Sequence, residues 1–199
     1  MKVEEFNFDV IVVGGGPAGS SAARMAAKNG CTVALIEKEK EIAETVRTSG
    51  VTWISDIKEF GIPEDCYNPI KKFSFCSPNN SVVISDEVAK AAVLDVRKTY
   101  RFLAKRAEEV GAKVFVNTNV TEVLKNSDNK CVGVIAKTQD KQIQFNGKVI
   151  IDASGFASIV VKELGYVKQW KKFGVGAEFE VKTEKLEYDN WWLMVGQEY

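Results

Sequence analysis

The chain has 199 residues, in which 27 lysines and arginines balance 27 aspartates and glutamates, and it contains no histidine. Balanced charge provides no general attraction to nucleic acid or acidic membranes. The absence of histidine excludes Ser–His and Cys–His nucleophiles and histidine metal sites, and we predict no metal site. Proton transfer would therefore use a carboxylate, lysine, tyrosine, cysteine or water.

Cysteine usage and apolar runs bear on the compartment. The cysteines form no Cys-x-x-Cys pair, which favours reduced thiols over a disulfide framework. The acidic N-terminal residues lack the pattern of a signal peptide. No run approaches the roughly 20 apolar residues that span a bilayer. We therefore predict a cytoplasmic protein, with cysteines at Cys31, Cys66, Cys76 and Cys131.

The first predicted element is an apolar strand over residues 10–13, which runs directly into a glycine-rich turn. Gly14, Gly16 and Gly19 follow the G-x-G-x-x-G spacing of dinucleotide-binding loops. The three glycines permit, in order, a tight turn, close approach of backbone to a pyrophosphate, and close helix packing. Pro17 suits the first position of the next helix, predicted over 20–28, whose N-terminal amides would face the phosphates.

The second strand, predicted over residues 32–36, ends at Glu37. An acid about 20 residues beyond the glycines accepts hydrogen bonds from an adenosine ribose in dinucleotide-binding folds. The same carboxylate would repel a 2′-phosphate, which disfavours NADP at this site. The alternative is an ordinary βαβ unit with a surface glutamate.

Further elements follow from periodicity and turn residues. Asp95 is a predicted N-cap of a helix that ends at Gly111. Three strands after the next parallel strand are predicted to form a meander. The predicted helices are 20–28, 52–60 and 96–110, and the later strands are 72–76, 82–84, 113–116, 120–124, 131–138, 142–145, 148–151 and 176–181.

The tail changes character, since residues 166–199 are rich in aromatic side chains. We predict that 1–64 and 91–165 form one discontinuous α/β domain, and that 65–90 and 166–199 belong to an antiparallel second domain. The chain ends without a closing helix, so we expect the second domain to be truncated. The aromatic residues of the tail are Trp170, Phe173, Phe179, Tyr188, Trp191, Trp192 and Tyr199, with Tyr166 at its start.

A second turn, Asp-Ala-Ser-Gly at 152–155, follows the last buried strand. Asp152 would accept a hydrogen bond from a ribose or ribityl hydroxyl, and Gly155 would permit close approach of the same ligand. The alternative is a simple strand-to-helix turn in which Asp152 is a cap.

Together these motifs resemble the geranylgeranyl reductase family of flavoproteins, within the p-hydroxybenzoate hydroxylase-like class. The resemblance covers residues 7–165, the N-terminal portion of such proteins. It rests on 9–19, on Leu-Ile-Glu-Lys at 35–38, on Leu-Asp-Val-Arg at 94–97 with its helix, and on 150–155. It implies an α/β fold, in which a Rossmann-like FAD-binding domain with a parallel sheet and β-meander is joined to part of an antiparallel substrate domain.

By this resemblance the glycine loop holds the FAD pyrophosphate, Glu37 and Lys38 close the second strand at the adenosine ribose, and Arg97 counters phosphate charge. Val120 would present its backbone to the adenine, and residues 47–49 would approach the isoalloxazine. Arg97 alone also fits a solvated helix arginine, and 47–49 fit a plain polar loop. The cofactor residues implied are Gly14, Gly16, Pro17, Ala18, Gly19, Glu37, Lys38, Arg47, Thr48, Ser49, Arg97, Val120, Asp152 and Gly155.

The resemblance implies an FAD-dependent oxidoreductase that transfers hydride to or from an apolar, isoprenoid or aromatic, substrate. NAD(P)H as a transient donor, an electron-donor protein and peripheral membrane contact are further candidates. Thr48 stands where many lipid-reducing members have a cysteine, and Val161 where the hydroxylases often have an arginine, so the catalytic residues stay unassigned. The alternatives are an FAD monooxygenase, a non-catalytic FAD-binding fragment or subunit, and an NAD-binding domain.

Overall fold

The computed structural model describes residues 4–167, 174–177, 179, 181–184 and 187–196. The chain divides into two compact units, Met1–Val46 with Tyr100–Gly174, and Arg47–Thr99 with Val175–Tyr199. The domain boundaries predicted from the sequence, and the substrate role of the second domain, stay predictions. Trp170, Phe173 and Tyr199 lie outside the described residues.

The described elements are strands and four helices, with short 3-10 turns at Glu64–Cys66 and Gly155–Ala157. The helices are α1 (Pro17–Lys28), α2 (Ile54–Phe60), α3 (Val96–Glu108) and α4 (Ile159–Glu163). The strands are β1 (Glu4–Val13), β2 (Val33–Ile36), β3 (Val51–Trp53), β4 (Tyr67–Ile70), β5 (Lys72–Ser77), β6 (Asn80–Ser85), β7 (Ala91–Leu94), β8 (Lys113–Phe115), β9 (Asn119–Lys125), β10 (Cys131–Lys137), β11 (Gln142–Asp152) and β12 (Asn190–Met194).

The first unit is built on a six-stranded sheet in the order β8-β2-β1-β11-β10-β9. The first four of these strands are parallel, and β9, β10 and β11 form the predicted antiparallel meander. Both faces of β1 and β2 are covered, which explains why these strands read as continuous apolar runs. The predicted α/β fold is confirmed.

The sheet has an apolar cluster on each side. On one side, Val12 and Leu35 pack with Ala23 of α1 and Ala107 of α3. On the other, the fully buried Phe145 packs with neighbours from β1, β2 and the meander, and the ring centroids of Phe115 and Phe145 lie 5.0 Å apart. The small alanines let both helices approach the sheet closely.

The structure corrects the predicted break between strands 142–145 and 148–151, because β11 is continuous. Asn146 and Gly147 keep the parallel register with Asn7 and Phe8 of β1. A Cβ on Gly147 would lie 2.7 Å from Cδ1 of Ile11, so glycine allows the neighbouring strand to pack here. Gly147 therefore serves strand packing, whereas the sequence pattern left residues 146 and 147 outside both predicted strands.

The second unit contains two three-stranded sheets, β3-β7-β4 and β12-β5-β6. Residues 52 and 53, predicted as the start of a helix, instead belong to strand β3 because they pair with β7, and helix α2 begins only at Ile54. The predicted strand at 176–181 is absent at the residues described there, namely 176, 177, 179 and 181. β5 and β6 are antiparallel as expected, whereas β12 lies parallel to β5.

One face of the β12-β5-β6 sheet is apolar except at its hairpin end, where Ser77 pairs with Asn80, and we call its apolar part the apolar sheet face. The register places Trp191, Phe73 and Ile84 side by side in one row. The Trp191 ring meets the Phe73 and Phe75 rings edge-on, with centroids 6.0 and 6.2 Å apart. The face consists of Phe73, Phe75, Val82, Ile84, Trp191 and Leu193.

Candidate functional site

The glycine loop lies at the carboxyl ends of neighbouring parallel strands, where open α/β sheets bind ligands. The Gly14 N–H donates to the Ile36 carbonyl over 2.8 Å, and the Ala153 N–H donates to the Val13 carbonyl over 2.9 Å. These bonds bring three predicted motifs together. We call this region the glycine-loop edge, consisting of residues 14–20, Glu37 and residues 152–155.

The three fingerprint glycines meet different surroundings. Gly14 has φ +108°, and its Cβ would lie 2.4 Å from the Ala153 carbonyl oxygen. A Cβ on Gly19 would lie 1.8 Å from the Gly14 carbonyl oxygen. Around Gly16, by contrast, nothing described lies within 4 Å of such an atom. Gly14 and Gly19 therefore serve packing, while Gly16 leaves space open to a ligand.

Helix α1 begins at this open space. Gly16 is its N-cap and provides no side-chain cap, Pro17 occupies the first turn, and that turn contains no acidic residue. The N–H groups of a first helical turn lack partners within the helix and carry the positive end of the helix dipole. Pro17 and Ala18 are exposed beside them. An uncapped helix start next to an open glycine fits the diphosphate of a dinucleotide.

The Glu37 carboxylate is already oriented by the backbone of the first unit. One oxygen accepts the Gly15 N–H over 2.7 Å, and the other accepts the Glu39 N–H over 2.9 Å. Each carboxylate oxygen retains a further lone pair for a ribose hydroxyl. The ribose contact of Glu37 stays a prediction, and so does a role for its exposed neighbour Lys38.

Asp152 caps the start of α4. One oxygen accepts the Val160 and Val161 N–H groups over 2.8 and 2.9 Å, and the other accepts the Ser154 N–H over 3.0 Å and its hydroxyl over 2.6 Å. Burial raises the pKa of the Asp152 carboxyl, but these hydrogen bonds lower it by more, so the net pKa is below its ordinary value. This geometry is that of the alternative in which Asp152 is a helix cap. The contact of Asp152 with a ribose or ribityl hydroxyl stays a prediction.

Two further predicted residues of the first unit differ in exposure. Val120 is only 5% exposed, packs in the apolar core, and pairs with Ala136 of β10. Its side chain is therefore committed to the core, which leaves only its backbone for the predicted adenine contact. Gly155 is exposed with φ +65°, and nothing described lies within 4 Å of the position that a Cβ would take there.

The remaining predicted residues belong to the second unit. Arg47, Thr48 and Ser49 are exposed and precede β3, and the Thr48 hydroxyl accepts a long 3.4 Å hydrogen bond from the Gly50 N–H. Arg97 is half-buried in the first turn of α3. Asp95 caps that helix as predicted, since its carboxylate accepts the Lys98 N–H over 3.0 Å.

The prediction omitted Gly15 and Ser20, which both lie inside the glycine loop. Gly15 donates to Glu37, and a Cβ on Gly15 would lie 2.4 Å from Cδ1 of the buried Ile42. Ser20 is fully buried and donates its hydroxyl to the Gly15 carbonyl over 3.2 Å. The sequence offers one signal for Ser20, namely that it is a polar residue within the alanine-rich stretch of α1.

Two further observations concern the helices and the cysteines. Within the described residues, no helix is both long and apolar enough to cross a bilayer. All the cysteines, which lie in described segments, are free thiols. The cytoplasmic location stays a prediction.

Known sequences resemble this chain over most of its length. Residues 9–164 match the family model of FAD dependent oxidoreductases. Digeranylgeranylglycerophospholipid reductase of Methanocaldococcus jannaschii is 35% identical over 185 residues, which cover 90% of this chain and 46% of that protein. A protein encoded in the nifH2 5′ region of Methanosarcina barkeri, of uncharacterized function, is 33% identical over 178 residues, or 82% of this chain and 90% of that one.

Solved structures of related proteins also resemble the fold of this chain. A geranylgeranyl bacteriochlorophyll reductase-like protein of Thermoplasma acidophilum superposes with a TM-score of 0.79 at 26% identity, covering 97% of this chain and 51% of that one. The flavin-dependent brominase Bmp2 gives a TM-score of 0.64 at 25% identity over 81% of this chain and 41% of its own.

The chain spans about half the length of the curated reductases that it matches. These relatives confirm the predicted resemblance to geranylgeranyl reductases, and the family model confirms FAD as the cofactor of the fold. The chain belongs to the FAD dependent oxidoreductase family.

Proposed function

We propose that the protein acts in FAD-dependent hydride transfer to the double bonds of an isoprenoid lipid. The observation that carries this proposal is the glycine-loop edge, with its uncapped helix start and open space at Gly16. The similarity to a digeranylgeranylglycerophospholipid reductase supports the substrate class.

The chain's own residues would bind and orient the cofactor. Residues 14–19 would hold the diphosphate, Glu37 the adenosine ribose, and the Val120 backbone the adenine, while Asp152 and Gly155 would shape the adjoining turn. Arg97 would offset phosphate charge, and residues 47–49 would approach the isoalloxazine. Bound FAD supplies the hydride chemistry that no side chain of this protein can supply.

The apolar sheet face supports an apolar substrate. Val82 and Ile84 are 56% and 55% exposed there, and Leu193 is 38% exposed. Contiguous exposed apolar surface marks sites that bind apolar ligands, proteins or membranes. The same surface supports peripheral membrane contact, through which a cytoplasmic protein would collect a lipid substrate.

Delivery of electrons and a proton needs a separate source. Only one dinucleotide fingerprint occurs in the chain, so NAD(P)H would dock transiently or an electron-donor protein would serve. Thr48 is too weak an acid to replace a cysteine as proton donor. Reduction of each double bond therefore combines a hydride with a proton that enters from water or another acid.

The decisive experiment combines cofactor and product analysis. The purified protein is expected to carry FAD, identified by its absorbance and by chromatography after heat release. Anaerobic incubation with dithionite and a digeranylgeranylglycerophospholipid is then expected to increase the lipid mass by one H₂ per reduced double bond. Bound FAD without lipid reduction would contradict the catalytic proposal and favour a non-catalytic FAD-binding subunit. Colourless protein that takes up no FAD would contradict the whole proposal.

A variant tests the assigned ribose contact. Glu37→Ala is expected to weaken FAD binding by about tenfold, in line with the loss of a charge-assisted hydrogen bond. Glu122→Ala, at an exposed position of β9, is the matched control and should bind FAD like the wild type. Equal affinity in both variants would exclude the ribose contact of Glu37.

The similarity to a flavin-dependent brominase favours an oxygen-dependent reaction as the second candidate. In that case reduced protein would consume oxygen in proportion to an oxidised product, whereas anaerobic incubation would leave the lipid unchanged. An oxygen electrode and product mass spectrometry distinguish the two reactions.

A further inference from the structure

Ser20 is a buried polar residue within the second turn of α1. Its exposure is 0%, and its hydroxyl donates to the Gly15 carbonyl over 3.2 Å. Alanine is the better helix former, and burying a hydroxyl costs free energy unless it is hydrogen-bonded. Stability alone therefore gives little reason for serine at this position, and its one donor acts on the glycine loop.

The hydrogen bond from Ser20 to the Gly15 carbonyl also orients the Gly16 N–H, because both groups belong to the Gly15–Gly16 peptide unit. In a planar trans peptide the C=O and the following N–H point in opposite directions. Because the Gly15 carbonyl points towards the Ser20 hydroxyl, the Gly16 N–H points away from that hydroxyl. The surroundings of Gly16 are open, since a Cβ there would meet nothing described within 4 Å. That N–H has no hydrogen-bond partner among the described residues.

This peptide unit needs an anchor. A peptide between two glycines has few steric limits on rotation, so it can turn its N–H away at little cost. The Gly15 N–H is fixed by Glu37 over 2.7 Å, and the Gly15 carbonyl is fixed by Ser20. Only the second bond constrains the peptide unit that contains the Gly16 N–H.

We infer that Ser20 is a positioning residue, which orients the Gly16 N–H to donate to the diphosphate of the bound dinucleotide. The inference rests on the proposed function, in which that ligand is FAD. It assigns binding energy to a side chain that itself does not contact the ligand.

The test compares ligands with and without a diphosphate. Ser20→Ala and the control Ser21→Ala, its half-buried neighbour in the same helix, are titrated with FAD, ADP and adenosine by calorimetry. In Ser20→Ala we expect roughly tenfold weaker binding of ADP and FAD, the size of one hydrogen bond to a charged group. Adenosine should bind within about twofold of the wild type, because it lacks the diphosphate.

The outcomes separate the hypotheses. A merely structural role of Ser20 would weaken ADP and adenosine binding alike, and would overturn the inference. Unchanged ADP binding in Ser20→Ala would also overturn it, while leaving the FAD assignment intact. Wild-type protein that binds neither FAD nor ADP would instead overturn the proposed function and the inference together.

Discussion

The glycine-loop edge and the apolar sheet face offer ligands opposite kinds of surface. The first is made of backbone: an uncapped helix start, an open glycine, and peptide groups fixed by Glu37 and Ser20. The second is made of side chains from three strands and carries no charged residue on its face. The difference matches the two parts of the proposed reaction, a charged cofactor and an apolar substrate.

The two regions also tolerate change differently. At Gly14 and Gly19 of the glycine-loop edge a single added methyl group meets backbone, which cannot move aside. On the apolar sheet face, half-exposed side chains have room to adjust. Substitutions at the first region should therefore have larger and more specific effects than those at the second.

The largest effect is expected for Gly19→Ala. Its Cβ would lie 1.8 Å from the Gly14 carbonyl oxygen, so the helix must move away from the strand. We expect a loss of about 3 kcal/mol or more in the free energy of unfolding, measured by urea denaturation. Gly16→Ala is the matched control, because its Cβ meets nothing described. It should fold within about 1 kcal/mol of the wild type yet bind FAD weakly. Equal stability of both variants would refute the distinction between packing and ligand glycines.

A smaller effect is expected for Trp191→Ala on the apolar sheet face. Trp191 contacts two phenylalanine rings of β5, and we expect a loss of about 2 kcal/mol that is confined to this sheet. Hydrogen exchange of the β5 and β6 amides measures the local stability. Trp192, on the opposite face and 47% exposed, provides the control, and Trp192→Ala should lose less. A larger loss in Trp192→Ala than in Trp191→Ala would mean that the ring contacts of Trp191 do not stabilise this sheet.

The next effect depends on pH and concerns Asp152. Asp152→Ala removes the cap of α4 and should cost about 1 to 2 kcal/mol at neutral pH. Because the folded pKa is lowered, the stabilisation is complete above the unfolded pKa of about 4 and is lost as pH falls through the folded value. Wild type and variant should therefore begin to converge in stability as pH falls below about 4, and become equal below the lowered folded pKa. A constant difference across this range would assign the loss to packing.

The smallest effect on stability is expected for Val82→Thr. The substitution keeps a β-branched residue at a 56% exposed position, so unfolding should change by less than about 0.5 kcal/mol. Binding to vesicles that contain digeranylgeranylglycerophospholipid should nevertheless fall about twofold to threefold, because apolar contact area is lost. Val88→Thr, 74% exposed and outside the strands, is the control and should bind vesicles like the wild type. Equal binding by both variants would remove the apolar sheet face from the lipid proposal.

The sequence by itself determined the βαβ unit, the Asp95 cap and the meander. Each depends on local backbone chemistry: the glycine spacing, an apolar run buried on both faces, or a carboxylate one turn before a helical N–H. Such features depend on residues that are close together in the sequence, so they can be predicted from the sequence alone.

Tertiary structure alone decided the rest. Gly147 is a strand residue because Ile11 packs over it, residues 51–53 form a strand because β7 lies beside them, and β12 pairs with β5 from more than a hundred positions away. The role of Ser20 likewise depends on a carbonyl oriented by the fold. Side-chain alternation predicts that a strand exists, but only long-range packing selects its partner and direction.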